Sequence, residues 1–310
     1  MYLNDFCLEI AAFTIRLYTK EKAYIYIPEG YVPFIKNTNK KPDVEIEVVQ
    51  SLPFNPTEGT EVFKAYEPFE FNQSSDKNAL WNIVEHNNLK LVFTSEPYRN
   101  IYPYLAADFF QDKKKWTIYN SELESENGTN LLNPLEYPMG PLLMYHLALY
   151  NNAVMIHASG IQVGEEGCLF SGFSGVGKST IAGLWQKNGY NVINDDRLMI
   201  RKIDDKFYIF NTPMIYKDSP KKVTLNAAFL LKQHPENYII PIDGLAGLTK
   251  LMAFCIQHHY NKEHINSLMD TIIDISKNIE IFELGFVPDD TVIQLVKKYR
   301  KQNINKNIHP

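Results

Sequence analysis

Gly172, Gly177, Lys178 and Ser179 satisfy the spacing G-x-x-x-x-G-K-[ST] within the run GFSGVGKST. This is a phosphate-binding pattern with a physical reason behind it. Glycines carry no Cβ, so successive backbone N–H groups can turn inward around an anion. A helix beginning at the lysine adds the positive end of its dipole. The Lys178 ammonium can reach the β- and γ-phosphates of a nucleotide, and the Ser179 hydroxyl can ligate Mg²⁺. Ser174, Gly175, Val176 and Thr180 complete the stretch whose backbone would face the phosphates. A pair of acids, Asp195 and Asp196, follows within reach of the same site. One carboxylate can accept a proton from an attacking hydroxyl. The other can hold Mg²⁺ directly or through water. Neighbouring residues of a strand point to opposite faces, so both acids can aim into the site only if the strand has already ended.

The flanking residues supply the elements that this chemistry needs. Cys168, Leu169 and Phe170 read as a buried strand leading into the loop. Residues 179–187 read as a short helix with Ile181, Ala182, Leu184 and Trp185 on its apolar side. Gly189 falls where a left-handed glycine ends a helix. A second apolar run over 190–193 ends at the two aspartates. Upstream, residues 141–150 read as a helix that starts on Pro141, and Asn151 and Asn152 as a turn. Residues 153–156 read as a strand that delivers His157 and extends towards Val163. Residues 164–167 form a hairpin turn, so this sheet begins with an antiparallel pair.

The stretch from about residue 153 to 202 resembles the catalytic domain of the HPr kinase/phosphorylase family. That family carries a His shortly before the loop strand, then G-x-S-G-x-G-K-S, then a strand ending in Asp-Asp. The matching residues here are His157, the run from Gly172 to Ser179, and the run VINDD ending at Asp196. Thr180 stands where the family usually has Glu. The resemblance implies a mixed-sheet domain of the HPr kinase/PEP carboxykinase type, ATP and Mg²⁺ as cofactors, and a protein or peptide substrate phosphorylated on a Ser or Thr hydroxyl. By family position, Asp195 is the base, Ser179 and Asp196 are the metal-side residues, and His157 is a polar contact near the γ-phosphate. Self-association is implied in the same way.

Composition sets the outer bounds. The 310 residues, 45% hydrophobic and 22% charged, suffice for one large or two ordinary domains with a real core. A net charge of −5 provides no global basic field for nucleic acid. The three cysteines, Cys7, Cys168 and Cys255, have no metal or redox spacing and fit a reducing cytoplasm. No run of ~20 apolar residues suggests a membrane span. His258, His259 and His264 lack the cysteine or paired helix face that zinc would need.

Residues 1–125 read as a β-rich domain with alternating apolar and polar residues over 13–19, 44–48, 62–66, 89–94 and 116–119. Helices are expected over 78–86 and 104–110. The polar stretch 121–137 reads as a linker. The phosphate-loop domain then covers 138–310, giving an α+β or α/β chain overall. In its second half, strands are expected over 207–210, 223–231 and 279–284, helices over 245–258 and 265–276, a closing helix begun by Asp289 or Asp290, and a frayed tail from Lys297. The first function implied is kinase activity. A nucleotide-dependent binding or regulatory module, and a small-molecule carboxykinase-like enzyme, share the same loop logic.

Overall fold

The computed structural model describes residues 1–66, 79–96, 101–120, 124–126, 129–258 and 260–308. The chain divides into two compact units, Met1–His146 with Pro213–Ser219, and Leu147–Thr212 with Pro220–Pro310.

Among the described residues, the first unit holds a nine-stranded and a four-stranded sheet. The expected strands are present as Phe13–Tyr18, Val44–Val49, Thr60–Tyr66, Leu89–Glu96 and Lys115–Asn120. Val44, Ile46 and Val48 are buried and the glutamates between them partly exposed, as the alternation requires. Both expected helices are strands instead, Ala79–His86 and Ile101–Asp108; Asn78 lies outside the described residues. Each lies between two hydrogen-bonded neighbours. Trp81, Ile83 and Val84, and Leu105, Ala106 and Ala107, are all buried. A strand covered on both faces reads as a continuous apolar run, which periodicity does not separate from a buried helix. The stretch expected as a linker contains the paired strands Glu124–Glu126 and Thr129–Leu132.

The second unit is built on eight strands. They are β1 (Ala153–Val163), β2 (Glu166–Ser171), β3 (Asn191–Asn194), β4 (Arg197–Ile203), β5 (Lys206–Asn211), β6 (Lys222–Gln233), β7 (Tyr238–Pro241) and β8 (Glu280–Phe286). The helix α1 (Met139–Tyr150) precedes them, with Met139–His146 counted in the first unit and the rest in the second. The others are α2 (Lys178–Lys187), α3 (Gly244–Ala253), α4 (Lys262–Asn278) and α5 (Thr291–Ile308). The hairpin of β1 and β2 is antiparallel, as expected. β2 then pairs in parallel with β6, and β6 with β8. The long strands β1 and β6 each serve two ladders. The first half of β1 pairs with β4 and its second half with β2 and β3. The start of β6 pairs with β5 and the rest with β2 and β8.

Alternation along β2 gives each face its own core. Cys168 and Phe170 pack with Ile181 and Trp185 of α2 and Val292 and Val296 of α5. Leu169 faces the cluster that includes Leu251 of α3 and Ile272 and Ile275 of α4. Phe170, Phe229 and Phe282 stack across β2, β6 and β8 at centroid distances of 5.1 and 5.2 Å. Burial pushes the thiols of Cys168 and Cys255 up to about 12, so both are inert core groups.

Two further expectations are corrected, and one strand is added. The helix read over 245–258 ends at Ala253, because the backbone beyond it is used elsewhere: the Ile256 N–H donates to Met155 O at 2.8 Å, and the His157 N–H donates to Phe254 O at 3.1 Å. Residues 197–203, in which no strand is evident from sequence, form β4. The tail expected to fray from Lys297 continues as helix to Ile308.

Arg300 explains the last point. Its guanidinium is 6% exposed and donates to both oxygens of Glu166 at 3.0–3.1 Å, and to Glu280. It thereby ties α5 to the first residues of β2 and β8. Burial alone would lower its pKa, but the two carboxylates outweigh burial and raise it. Removing Arg300 leaves two carboxylates unpaired, but Glu166 and Glu280 keep 22% and 41% of their side chains exposed and stay partly solvated. Arg300→Ala is therefore expected to cost about 1–3 kcal/mol in urea unfolding, between an exposed and a buried pair. Lys20→Ala, which removes an exposed partner of Glu47, should leave the urea midpoint nearly unchanged.

Candidate functional site

The loop from Gly172 to Gly177 joins β2 to α2, the placement that the motif requires. Gly175 and Gly177 take φ values of +75° and +110°, a region open mainly to glycine. No side chain caps α2, whose N-cap is Gly177. The N-terminus of a helix is where backbone N–H groups and the helix dipole favour an anion. Lys178 is 7% exposed, and its ammonium donates to Gly172 O at 3.0 Å and Phe173 O at 3.1 Å. Ser174, Gly175, Ser179 and Thr180 are exposed, and Val176 is partly so.

Two fully buried hydroxyls fix the loop against β1. Ser159 Oγ donates to Lys178 O at 2.9 Å, and Ser171 Oγ donates to His157 O at 2.8 Å. Neither serine belongs to the motif. Their role depends on the pairing of β1 with β2, which no local pattern announces.

Asp195 and Asp196 occupy a bend between β3 and β4, so the strand has ended before the acids. Asn194 shapes that bend: its Oδ1 accepts from the Asp195 N–H at 2.8 Å and its Nδ2 donates to Arg197 O at 2.9 Å. Thr212 Oγ donates to the same carbonyl at 3.0 Å. The Ala158 N–H donates to Asp196 O at 3.0 Å and holds the bend to β1. His157 Nε2 lies 3.7 Å from Asp196 Oδ1, and Arg197 Nε donates to Asp196 Oδ2 at 3.1 Å. His157 and Asp196 are thus brought together, with Arg197 on the same carboxylate. Asn194 and Thr212 escaped sequence reasoning, because an Asn at a strand end signals only a turn.

The donor set suits a nucleotide with Mg²⁺. Among the described residues no group of three or more His, Cys, Asp or Glu is arranged to hold a metal. Mg²⁺ commonly uses one or two carboxylates together with substrate phosphates rather than an all-protein cage. The Ser179 hydroxyl and Asp196 are groups of that kind. His259 lies outside the described residues. No helix among the described residues is long and apolar enough to cross a membrane.

The resemblance to HPr kinase/phosphorylase read from the motif is borne out by comparison with known proteins. The chain is 28% identical over 149 residues to the HPr kinase/phosphorylase of Caldicellulosiruptor bescii, a match covering 46% of this chain and 42% of that protein. The chain therefore spans less than half the length of that curated relative. A solved structure of the HPr(Ser) kinase/phosphatase from Coxiella burnetii aligns with 11% identity and a TM-score of 0.30, covering 49% of this chain and 98% of that one. No protein-family model matches the chain.

The loop backbone yields a graded prediction. A Cβ at Gly177 would lie 2.6 Å from the Phe286 ring, whereas one at Gly175 meets nothing within 4 Å. Gly175→Ala is expected to cost about 1–2 kcal/mol from the left-handed backbone alone. Gly177→Ala should cost more, since the buried Phe286 ring must also shift; chemical denaturation ranks the two.

A second prediction concerns Glu283 on β8. The Tyr238 hydroxyl, together with Lys250 and Lys232, holds its carboxyl below the ordinary 4.5 despite partial burial. A carboxylate with a depressed native pKa adds stability above its unfolded pKa and loses it as pH falls. Glu283→Gln should therefore flatten the loss of stability below pH 4.5, measured as the urea midpoint against pH.

Proposed function

We propose that this protein is an ATP- and Mg²⁺-dependent kinase that transfers the γ-phosphate to a Ser or Thr hydroxyl of a protein or peptide. The observation that carries this reading is the uncapped N-terminus of α2 beside a buried lysine, with the bend of Asp195 and Asp196 bonded to the neighbouring strand. The likeness to an HPr kinase/phosphorylase supports it.

In this reading N–H groups within residues 174–180 hold the phosphates, Val176 excepted, whose N–H already donates to Phe173 O at 3.2 Å. Lys178 exchanges its two carbonyl partners for phosphate oxygens. Mg²⁺ bound by Ser179 and Asp196 would neutralise further phosphate charge. Asp195 accepts the proton of the acceptor hydroxyl as its oxygen attacks the γ-phosphorus, and the bond to ADP breaks with the electron pair leaving on ADP. His157 lies near the γ-phosphate, and Arg197 restrains Asp196. Positioned charge supplies most of what phosphoryl transfer requires.

Incubation with labelled ATP, Mg²⁺ and seryl peptides tests the proposal. Lys178→Ala should lose nucleotide binding and transfer together. Asp195→Asn should retain binding and lose about 10²–10⁴-fold in transfer. Unchanged transfer in Asp195→Asn would remove that residue from the role of base. Failure of the wild type to bind any nucleotide would remove the reading altogether.

A further inference from the structure

The loop is flanked unequally. On its β1 side stand His157, Asp196 and Arg197. On its β6 side, Ser171 pairs with Leu230 and Leu230 with Glu283, and β6 runs on past the loop to Gln233. There the loop, the end of β6, Glu283 of β8 and the last turns of α3 line a cleft of about 600 Å³. Val176, Leu231 and Ala253 supply apolar surface, with Phe254 beside them. Phe173 meets Phe254 edge to face at 5.2 Å, yet remains 74% exposed. Lys232 and Lys250 both approach Glu283, at 3.8 and 3.2 Å, so these three side chains together carry one net positive charge. Gln233 Nε2 donates to Gly175 O at 3.1 Å and ties the loop to the end of β6.

We propose that this cleft receives the nucleoside of the nucleotide whose phosphates lie in the loop. The inference rests on the phosphate-binding reading above and assigns the part of the ligand that the motif leaves open. Residues 173–176 belong to the loop and line the cleft at once, so a ligand held by one reaches the other. A nucleoside triphosphate has a reacting end and a nucleoside end. The acids and His157 occupy the β1 flank, so the reacting end belongs there and the nucleoside falls on the β6 flank. Crevices beyond the carboxyl ends of parallel strands are where open α/β sheets place such ligands. A flat base gains from apolar walls and an aromatic face, and Phe173 is an exposed ring that it would cover. The cleft is of the size usual for a small-molecule site. A peptide acceptor must instead bring its hydroxyl to the aspartates. Phe254, which lines the cleft, accepts the His157 N–H at its carbonyl and marks where the cleft borders that flank.

Isothermal titration with Mg-ATP and, separately, Mg-tripolyphosphate tests the assignment. Ala253→Trp fills the cleft from an exposed helix position, and Phe173→Ser removes the ring. Each is expected to weaken ATP about tenfold while leaving tripolyphosphate within about twofold, a difference that titration resolves readily. Lys178→Ala should weaken both ligands. Tripolyphosphate affinity also reports that the loop of each variant remains folded. Unchanged ATP affinity in both variants would overturn the inference while leaving the phosphate loop intact. So would a raised KM for the seryl peptide without any change in ATP affinity, which would give the cleft to the acceptor. A wild type that binds neither ligand would overturn the phosphate-loop reading and, with it, this assignment.

Discussion

A nearly buried ammonium must be neutralised or solvated by the protein itself, and the site is arranged around that constraint. Lys178 carries its charge to a place where water reaches little of it, and the carbonyls of Gly172 and Phe173 take the place of that water. For those carbonyls to turn towards the lysine, the chain must fold back within a few residues. The left-handed backbone at Gly175 and Gly177 makes this possible. The helix then starts at the lysine, and no side chain caps its first turn. A phosphate entering the loop would therefore replace internal dipoles around a charge that is already desolvated.

The surroundings hold this arrangement through backbone pairing more than through charge. Ser159 and Ser171 bond to carbonyls on the neighbouring segment, and the acidic bend is folded by Asn194 and Thr212 acting on one carbonyl oxygen. Small buried donors with a single partner each are stiff supports, because leaving any of them unsatisfied carries a desolvation penalty of about 1–3 kcal/mol.

What could be read from sequence follows from which signals are local. The glycine-lysine-serine spacing, the strand before it, the helix after it and Gly189 at the helix end are all decided within a few residues, and each is where the sequence implies. The pair of His157 and Asp196 was reachable only through the family resemblance, since the two are 39 positions apart and meet through the pairing of β1 with β4. Residues 80–84 and 105–108 are opaque because successive side chains on both faces are buried, which erases the alternation that marks a strand. Residues 197–203 were opaque because arginine and lysine flank a short apolar core. Arg300 looked like part of a basic tail, and only Glu166 and Glu280, far away in sequence, show it to be an anchor. The cleft is a product of four separate segments and has no sequence signature at all.

The double service of β1 sets a rule for how the chain can vary. Its first half reads register from β4 and its second half from β2 and β3, with His157 at the changeover. Inserting or deleting one residue there would turn the following side chains to the opposite face and put buried apolar groups where polar ones belong. Length changes among descendants of this chain should therefore spare that eleven-residue strand, whatever they do to the turns at its ends.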